Sequence, residues 1–159
     1  MKKIIILLLF SLSFITGCET KEETSKKEYI AMKNDAFNET NYKKEELPFD
    51  IVTTINRVDE EEVNYQTKIN NPKENMHNIK VLLVHNYYSE DIFPTIGVFD
   101  EPKELLLNNN NDNNNNNEII LKDTIKTTTN LSKLNLELKM LIEYTNDSGE
   151  KKDIYYKTT

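Results

Sequence analysis

The chain has a single cysteine, no tryptophan and only three glycines among its 159 residues. One cysteine cannot form a disulfide within the chain, and one cysteine with two histidines is too small a set for a structural zinc site. Three glycines also leave no room for a glycine-rich loop that cradles phosphate. The sequence therefore predicts neither a cofactor nor a bound metal.

Basic residues are in the minority, with 20 Lys and Arg against 27 Asp and Glu and a formal net charge of −7. This balance argues against a nucleic-acid partner, since phosphate binding requires clustered Lys and Arg. Hydrophobic residues make up 37% of the chain and the mean hydropathy is −0.66. These values exclude a protein with several membrane spans.

The first seventeen residues have the anatomy of a secretory signal peptide. Lysines occupy positions 2 and 3, and residues 4–10 form an unbroken apolar run that residues 11–15 continue more weakly. The run is too short to cross a bilayer as a helix, which takes about 20 residues. Thr16 and Gly17 then supply the small residues of a cleavage site.

Residues 15–18, Ile-Thr-Gly-Cys, resemble the lipobox of bacterial lipoproteins. The resemblance implies transfer of a diacylglyceryl group to the Cys18 sulfur, cleavage before Cys18 and acylation of the new amine with a palmitate-type chain. It also implies an extracytoplasmic protein held on the cell membrane or outer membrane. Ile15 departs mildly from the leucine more usual there. The alternative is an ordinary cleaved signal that ends in cysteine by chance.

Cleavage would make the mature chain more acidic. Removing the two lysines at positions 2 and 3 leaves 18 basic against 27 acidic side chains, a formal charge of −9. Because anionic lipid would repel such a chain, the attached lipid must hold it at the membrane.

Residues 18–46 are rich in charges of both signs and poor in apolar side chains. This composition favours a flexible charged tether, because it cannot bury enough surface to offset chain entropy. As a random coil the segment would span about 30 Å. Tyr29, Met32, Ala36 and Phe37 have partial helical spacing, which leaves a short helix docked on the following domain as an alternative.

From residue 47 onward the apolar side chains follow the two-residue period of β-strands. Residues 81–84 are apolar on both faces, which predicts a central strand covered on both sides. Seven or eight short strands in about 100 residues predict an all-β fold, an antiparallel immunoglobulin-like sandwich over residues 47–159. The expected strands are 49–56, 63–69, 77–88, 95–99, 118–126, 134–144 and 151–157, with a brief edge pairing at 105–107.

Residues 108–117 are asparagine except for Asp112. We expect this low-complexity tract to be a solvated, disordered connection between strands, because lengthening a loop costs little free energy. An aggregation-prone segment or a ligand loop is the alternative.

No catalytic group of residues emerges from the sequence. His77 and His85 are the only histidines. On one face of one strand they would lie about 26 Å apart, too far to share a metal. No serine lies in a nucleophile motif, and Cys18 is committed to lipid.

Acidic residues cluster in predicted turns and loops, at 59–62 and at Glu90, Asp91, Asp100 and Glu101. Calcium takes six to eight oxygen ligands, but neither group has the spacing of a calcium-binding loop. Solvated acidic loops are the expectation, with calcium binding as the alternative.

Tyr88, Phe93 and Tyr155 are the candidate binding residues. Tyr88 and Tyr155 belong to adjacent pairs of tyrosines, and neighbouring side chains of a strand point to opposite faces. One tyrosine of each pair should therefore face outward, where it would suit an interface. The alternative is ordinary packing between strands.

These features together predict a lipid-anchored, non-catalytic binding or interaction module on the cell envelope, with an envelope protein or an external protein as its partner. A small hydrolase or metal-dependent enzyme is a second hypothesis, which requires acidic residues from two loops to converge. An inhibitor or immunity-type lipoprotein is a third, because a charge of −9 would suit a basic attacker.

Overall fold

The structure, a computed structural model, describes residues 20–42, 46–107 and 117–158. Within these ranges one α-helix precedes eight strands. The elements are α1 (Lys21–Asn38), β1 (Asp50–Arg57), β2 (Glu62–Asn70), β3 (Met76–His85), β4 (Thr95–Ile96), β5 (Lys103–Leu105), β6 (Glu118–Lys126), β7 (Leu138–Thr145) and β8 (Lys151–Lys157).

The strands form two antiparallel sheets. One sheet has the order β1-β2-β6, and the other has the order β4-β3-β7-β8, with β5 also paired to β3. In the first sheet Ile51 lies opposite Ile69, and Ile69 lies opposite Ile119, so the apolar side chains share one face. The predicted all-β antiparallel fold is confirmed.

The main core lies between the two sheets, which pack face to face. Because the side chains of each strand alternate, every second residue enters this layer. The core includes Val63, Tyr65, Ile69, Ile119, Leu121 and Ile125 of the first sheet and Met76, Ile79, Val81, Leu83, Leu138, Met140, Ile142, Tyr144 and Ile154 of the second.

A second cluster of buried side chains lies on the other face of the sheet that contains β3. Leu82 and Val84 of β3 and Leu141 of β7 pack there together with residues of α1. Residues 81–84 are thus buried on both faces, as the sequence predicts. The order of layers is helix, sheet and sheet.

Helix α1 occupies most of the segment for which we expected a flexible charged tether. The Thr20 hydroxyl accepts a hydrogen bond from the N–H of Glu23, and the Glu23 carboxylate accepts one from the N–H of Thr20, both at 3.2 Å. This capping box starts the helix. Tyr29, Met32 and Ala36 are spaced three and four residues apart, so all three are buried against the sheet. The tether expectation is therefore corrected over 21–38, where the alternative of a docked helix holds.

A bulge interrupts the pairing of β3 with β7. His77 pairs with Thr145 and Lys80 pairs with Glu143, so three steps along β3 match two steps along β7. Asn78 sits in the bulge with φ at 52°, a left-handed conformation that asparagine tolerates.

The bulge reverses the alternation of side chains along β3. Met76 enters the core before it, and Ile79 enters the core after it. His77 is consequently partly exposed, whereas His85 is buried with 2% of its surface exposed. The expectation that the two histidines share a face is wrong, because it assumed an unbroken strand.

The predicted strand bounds are met at β6 and β8, but three strands are shorter than expected, including the strand predicted for 77–88, which ends at His85. The strand predicted for 134–144 begins at Leu138, and residues 134–137 form an irregular segment after a 3-10 turn at Leu131–Lys133. The strand predicted for 95–99 ends at Ile96, where Gly97 turns the chain with φ at 77°. A Cβ on Gly97 would lie 2.6 Å from the Ile79 carbonyl oxygen, so only glycine fits there.

Most of the asparagine tract, residues 108–116, lies outside the described residues. Asn117 is described, and its side chain joins the two ends of the connection. Its Oδ1 accepts a hydrogen bond from the N–H of Leu106 at 3.0 Å, and its Nδ2 donates to the Leu106 carbonyl at 2.6 Å.

Candidate binding surface

The loop of residues 86–94, between β3 and β4, carries the most exposed large hydrophobic residue in the described part of the chain. Tyr88 is 86% exposed, and Ile92 on the same loop is 63% exposed. Single exposed apolar residues are ordinary, but two of them on one loop form a candidate contact for a partner.

Hydrogen bonds fix this loop at both ends. At its start, the Asn86 side chain accepts a hydrogen bond from the N–H of Glu137 at 2.9 Å. At its end, the N–H of Phe93 donates to the Tyr29 hydroxyl of α1 at 3.0 Å. The loop therefore holds Tyr88 and Ile92 outward on a backbone that is anchored in the fold.

The tip of the loop has its own hydrogen bonds. The N–H of Asp91 donates to the Ser89 hydroxyl at 3.2 Å, and the Tyr88 hydroxyl donates to the Glu90 carboxylate at 3.0 Å. Glu90 and Asp91 are both exposed. The tip thus combines an aromatic ring, an aliphatic side chain and two carboxylates, a composition that suits a partner with basic and apolar groups.

A cleft of about 330 Å³ lies beside this loop. It is lined by residues 87–91 of the loop, by His85 and by residues 124–126 at the end of β6. Both tyrosines line this cleft, but Tyr88 is open to solvent, whereas the adjacent Tyr87 is partly buried and packs against the main core. This pair follows the predicted division into one inward and one outward tyrosine.

His85 is the only histidine that reaches this cleft. Its Nδ1 lies 3.1 Å from the carbonyl oxygen and 3.2 Å from the amide nitrogen of Tyr87, while its Nε2 is buried and has no hydrogen-bond partner among the described residues. Burial lowers the pKa of the imidazole, and the nearby Asp123 carboxylate opposes that shift only partly. His85 is therefore neutral near pH 7 and contributes packing, with its ring edge-on to Tyr65 and Phe93.

Phe93 and Tyr155 lie on the helix side of the molecule, away from the open surface of the loop. Phe93 is 6% exposed, and its ring packs edge-on against Phe37 of α1 at 5.8 Å. Tyr155 is partly buried against the same cluster, and this burial raises the pKa of its hydroxyl. The packing alternative therefore describes both rings, and of the three candidates only Tyr88 is open to solvent.

Ile92 is a candidate that the sequence analysis does not single out. Its neighbours Ser89, Glu90 and Asp91 are polar, and Pro94 follows closely. An isolated aliphatic residue among polar neighbours was the sequence signal for this candidate. The sequence alone does not show whether such a side chain faces solvent or is buried like Phe93.

The acidic residues of the turns have structural partners. The Asp59 carboxylate accepts a hydrogen bond from the N–H of Glu62 at 2.9 Å, which shapes the turn between β1 and β2. The Asp100 carboxylate accepts one from the N–H of Gly97 at 2.5 Å. Among the described residues, no group of three or more His, Cys, Asp and Glu side chains is placed to hold a metal ion.

No protein-family model matches the chain, and no curated protein or solved structure matches it either. In the ranges that the structure describes, no helix has both the length and the apolar character needed to cross a membrane. Cys18, the predicted lipidation site, lies outside those ranges, so its modification stays a prediction.

Proposed function

We propose that this protein is a lipid-anchored module of the bacterial cell envelope that binds a partner protein, without catalysis, through the 86–94 loop. The observation that carries the proposal is the exposure of both Tyr88 and Ile92 on one loop that is fixed at both ends. A surface that is ordered before binding loses little conformational entropy when a partner docks. Exposed tyrosine is also among the residue types that contribute most to binding energy.

The anchor in this proposal is the lipid on Cys18. It is supported by the resemblance of residues 15–18 to a lipobox and by the preceding apolar run. A diacylglyceryl group supplies two acyl chains, and stable attachment takes two lipid signals, each buried methylene contributing about 0.8 kcal/mol. The partner is then an envelope protein or a protein that approaches from outside the cell.

We further propose that the sandwich is immunoglobulin-like. The sheet order β1-β2-β6 corresponds to strands A, B and E of that architecture, and β3-β7-β8 corresponds to strands C, F and G. In that arrangement the 86–94 loop follows the strand equivalent to C, at one end of the sandwich.

Site-specific photo-crosslinking in cells tests the binding surface. A photoreactive phenylalanine analogue at position 88 or 92 should give a discrete crosslinked adduct, because both side chains face solvent on the proposed contact. The matched control is position 52, where Val52 is exposed on β1 of the other sheet. Adducts of equal yield at position 52, or none at 88 and 92, would contradict the proposal, as would turnover of a substrate at a defined site.

A further inference from the structure

The predicted anchor lies very close in sequence to the start of α1. Only Glu19 separates Cys18 from Thr20, the residue that caps the helix. Two residue steps extend by at most about 7 Å. If Cys18 carries lipid, Thr20 is therefore held near the lipid headgroups, and no long tether separates the folded domain from the bilayer.

Contacts along α1 show how it lies on the sheet. At the start of the helix, the Lys21 ammonium lies 3.0 Å from the Glu101 carboxylate. Near its end, the Phe37 carbonyl accepts a hydrogen bond from the Lys139 ammonium at 3.2 Å, beside the first residue of β7. Because β7 is antiparallel to β3, the start of β7 lies beside the end of β3. The end of α1 therefore lies near the end of β3, so the helix runs in the same direction as β3. It is about 26 Å long.

The two ends of the sandwich are therefore distinct with respect to the anchor. The start of α1 lies at the end of the sandwich where β3 begins. The turn between β7 and β8 lies at the same end, because its Asp147 contacts His77 near the start of β3 at 2.9 Å. The 86–94 loop follows the last residue of β3, at the opposite end. The ten residues of β3 separate these ends by about 30 Å.

We infer that the bilayer faces the end of the sandwich formed by the 146–150 turn, and that the 86–94 loop points away from the membrane. The inference rests on the proposed anchor at Cys18 and adds to it the surface that the lipid meets. The mature charge of −9 acts in the same sense, because anionic headgroups repel a protein lying flat on its side. The proposed binding loop then stands about 30 Å from the anchored end, where an external partner can reach it.

Fluorescence quenching in vesicles tests this orientation. Lipidated protein purified from membranes is reconstituted into phosphatidylcholine vesicles that contain a lipid with a nitroxide quencher on its headgroup. Ser148→Cys and Glu90→Cys each add one exposed thiol for the same fluorophore, since Cys18 is acylated. The label at position 148 should be quenched several-fold more strongly than the label at position 90. Equal quenching, or stronger quenching at position 90, would overturn the inference.

Flotation of the same vesicles separates the two claims. Protein that floats with the vesicles but shows equal quenching retains the anchor and refutes only the orientation. Protein that does not float refutes the anchor and the orientation together.

A pair of helix variants tests whether the docked helix sets the orientation. Met32→Asp places a charge at a position that is 2% exposed beneath α1, whereas Ile30→Asp makes the same change at a position that is 54% exposed. Met32→Asp should release the helix and reduce the difference between the two labels, while Ile30→Asp should preserve it. A difference unchanged by Met32→Asp would show that helix docking does not orient the domain. The comparison of positions 148 and 90 in the otherwise unaltered protein decides the orientation even if Met32→Asp fails to fold.

Discussion

The Tyr29 hydroxyl accepts a hydrogen bond from the backbone N–H of Phe93 at 3.0 Å, across 64 residues of sequence. Tyr29 belongs to α1, and Phe93 lies at the end of the 86–94 loop. Burial raises the pKa of the Tyr29 hydroxyl, so it remains protonated over the physiological range. The helix next to the proposed anchor and the proposed binding loop are thus parts of one packed unit.

Replacing Tyr29 with phenylalanine should destabilise the protein by about 1–3 kcal/mol, because the N–H of Phe93 would be left buried without an acceptor. Urea titration of purified protein measures the change. Tyr88→Phe is the matched control, since it removes a hydroxyl that donates to the exposed Glu90 carboxylate. The control should stay within about 0.5 kcal/mol. Equal losses in the two variants would contradict the role given to this hydrogen bond.

The core register of β7 gives a second prediction. Leu138 is fully buried between the sheets, so Leu138→Ala should cost about 2–5 kcal/mol through lost burial and the cavity that remains. Val52→Ala is the control on an exposed strand position and should cost within about 0.5 kcal/mol. Urea midpoints that shift equally for both variants would show that the register of β7 is wrong.

The strands were predictable from the sequence because their signal is local. Alternating apolar residues mark β2 and β6, and the run at 81–84 correctly indicates a strand covered on both faces. The bulge at Asn78 was not predictable in this way. It depends on how β3 pairs with β7, which a two-residue period within one strand does not encode.

The helix was harder to predict because its apolar face is narrow. Tyr29, Met32 and Ala36 are its buried residues, whereas Ile30 is exposed and Phe37 is 39% exposed although its ring contacts Phe93. Thr20 and Glu23, three residues apart, were a usable signal, since this spacing is that of a capping box.

Lys139 illustrates how the docked helix changes the role of a strand residue. Its place in the alternating pattern predicts a plain surface lysine, yet its ammonium donates to the Phe37 carbonyl at the end of α1. In the candidate site, too, the strand pattern does not show which side chains a distant element covers. The sequence makes Tyr88 and Phe93 equal candidates, but Phe93 is buried between the sheet and the docked helix, whereas Tyr88 stays open to solvent.

The two histidines should titrate on opposite sides of their ordinary pKa of 6.5. A hydrogen bond to Asp147, and to a smaller extent one to Glu104, raises the pKa of His77. Burial lowers the pKa of His85. NMR titration of the ring protons measures both. Similar pKa values for the two rings would contradict the reversal of faces across the bulge.

His77 also gives the folded state a pH dependence of defined sign. Because its pKa is raised on folding, its contribution to stability is full below pH 6.5 and is lost as the pH rises through its folded pKa. His77→Gln should therefore destabilise the protein more at pH 6 than at pH 9 in urea titrations. Asp147 has a lowered pKa, first through its hydrogen bond to His77, so protonation of Asp147 also weakens the pair as the pH falls below its ordinary value of 3.8 towards and through the lower folded pKa. A loss on His77→Gln that is the same at both pH values would rule out the ion pair.

Shortening the asparagine tract to about four residues should change the free energy of unfolding by less than about 1 kcal/mol, because loop closure depends weakly on length. Asn117 is retained, since its side chain bonds to Leu106 at the base of the connection. Denaturant titration of the shortened protein measures the effect. A loss of several kcal/mol would show that the tract is packed against the fold.

Lipid attachment at Cys18 is the central claim, and metabolic labelling with a clickable fatty acid tests it most directly. Cys18→Ala removes the only thiol in the chain, and Glu19→Gln is the adjacent control. Wild type and the control should carry the label and lose the signal peptide. Cys18→Ala should carry no label and accumulate as uncleaved precursor, because the resemblance implies cleavage only after lipid transfer. Equal labelling of Cys18→Ala and wild type would contradict the account.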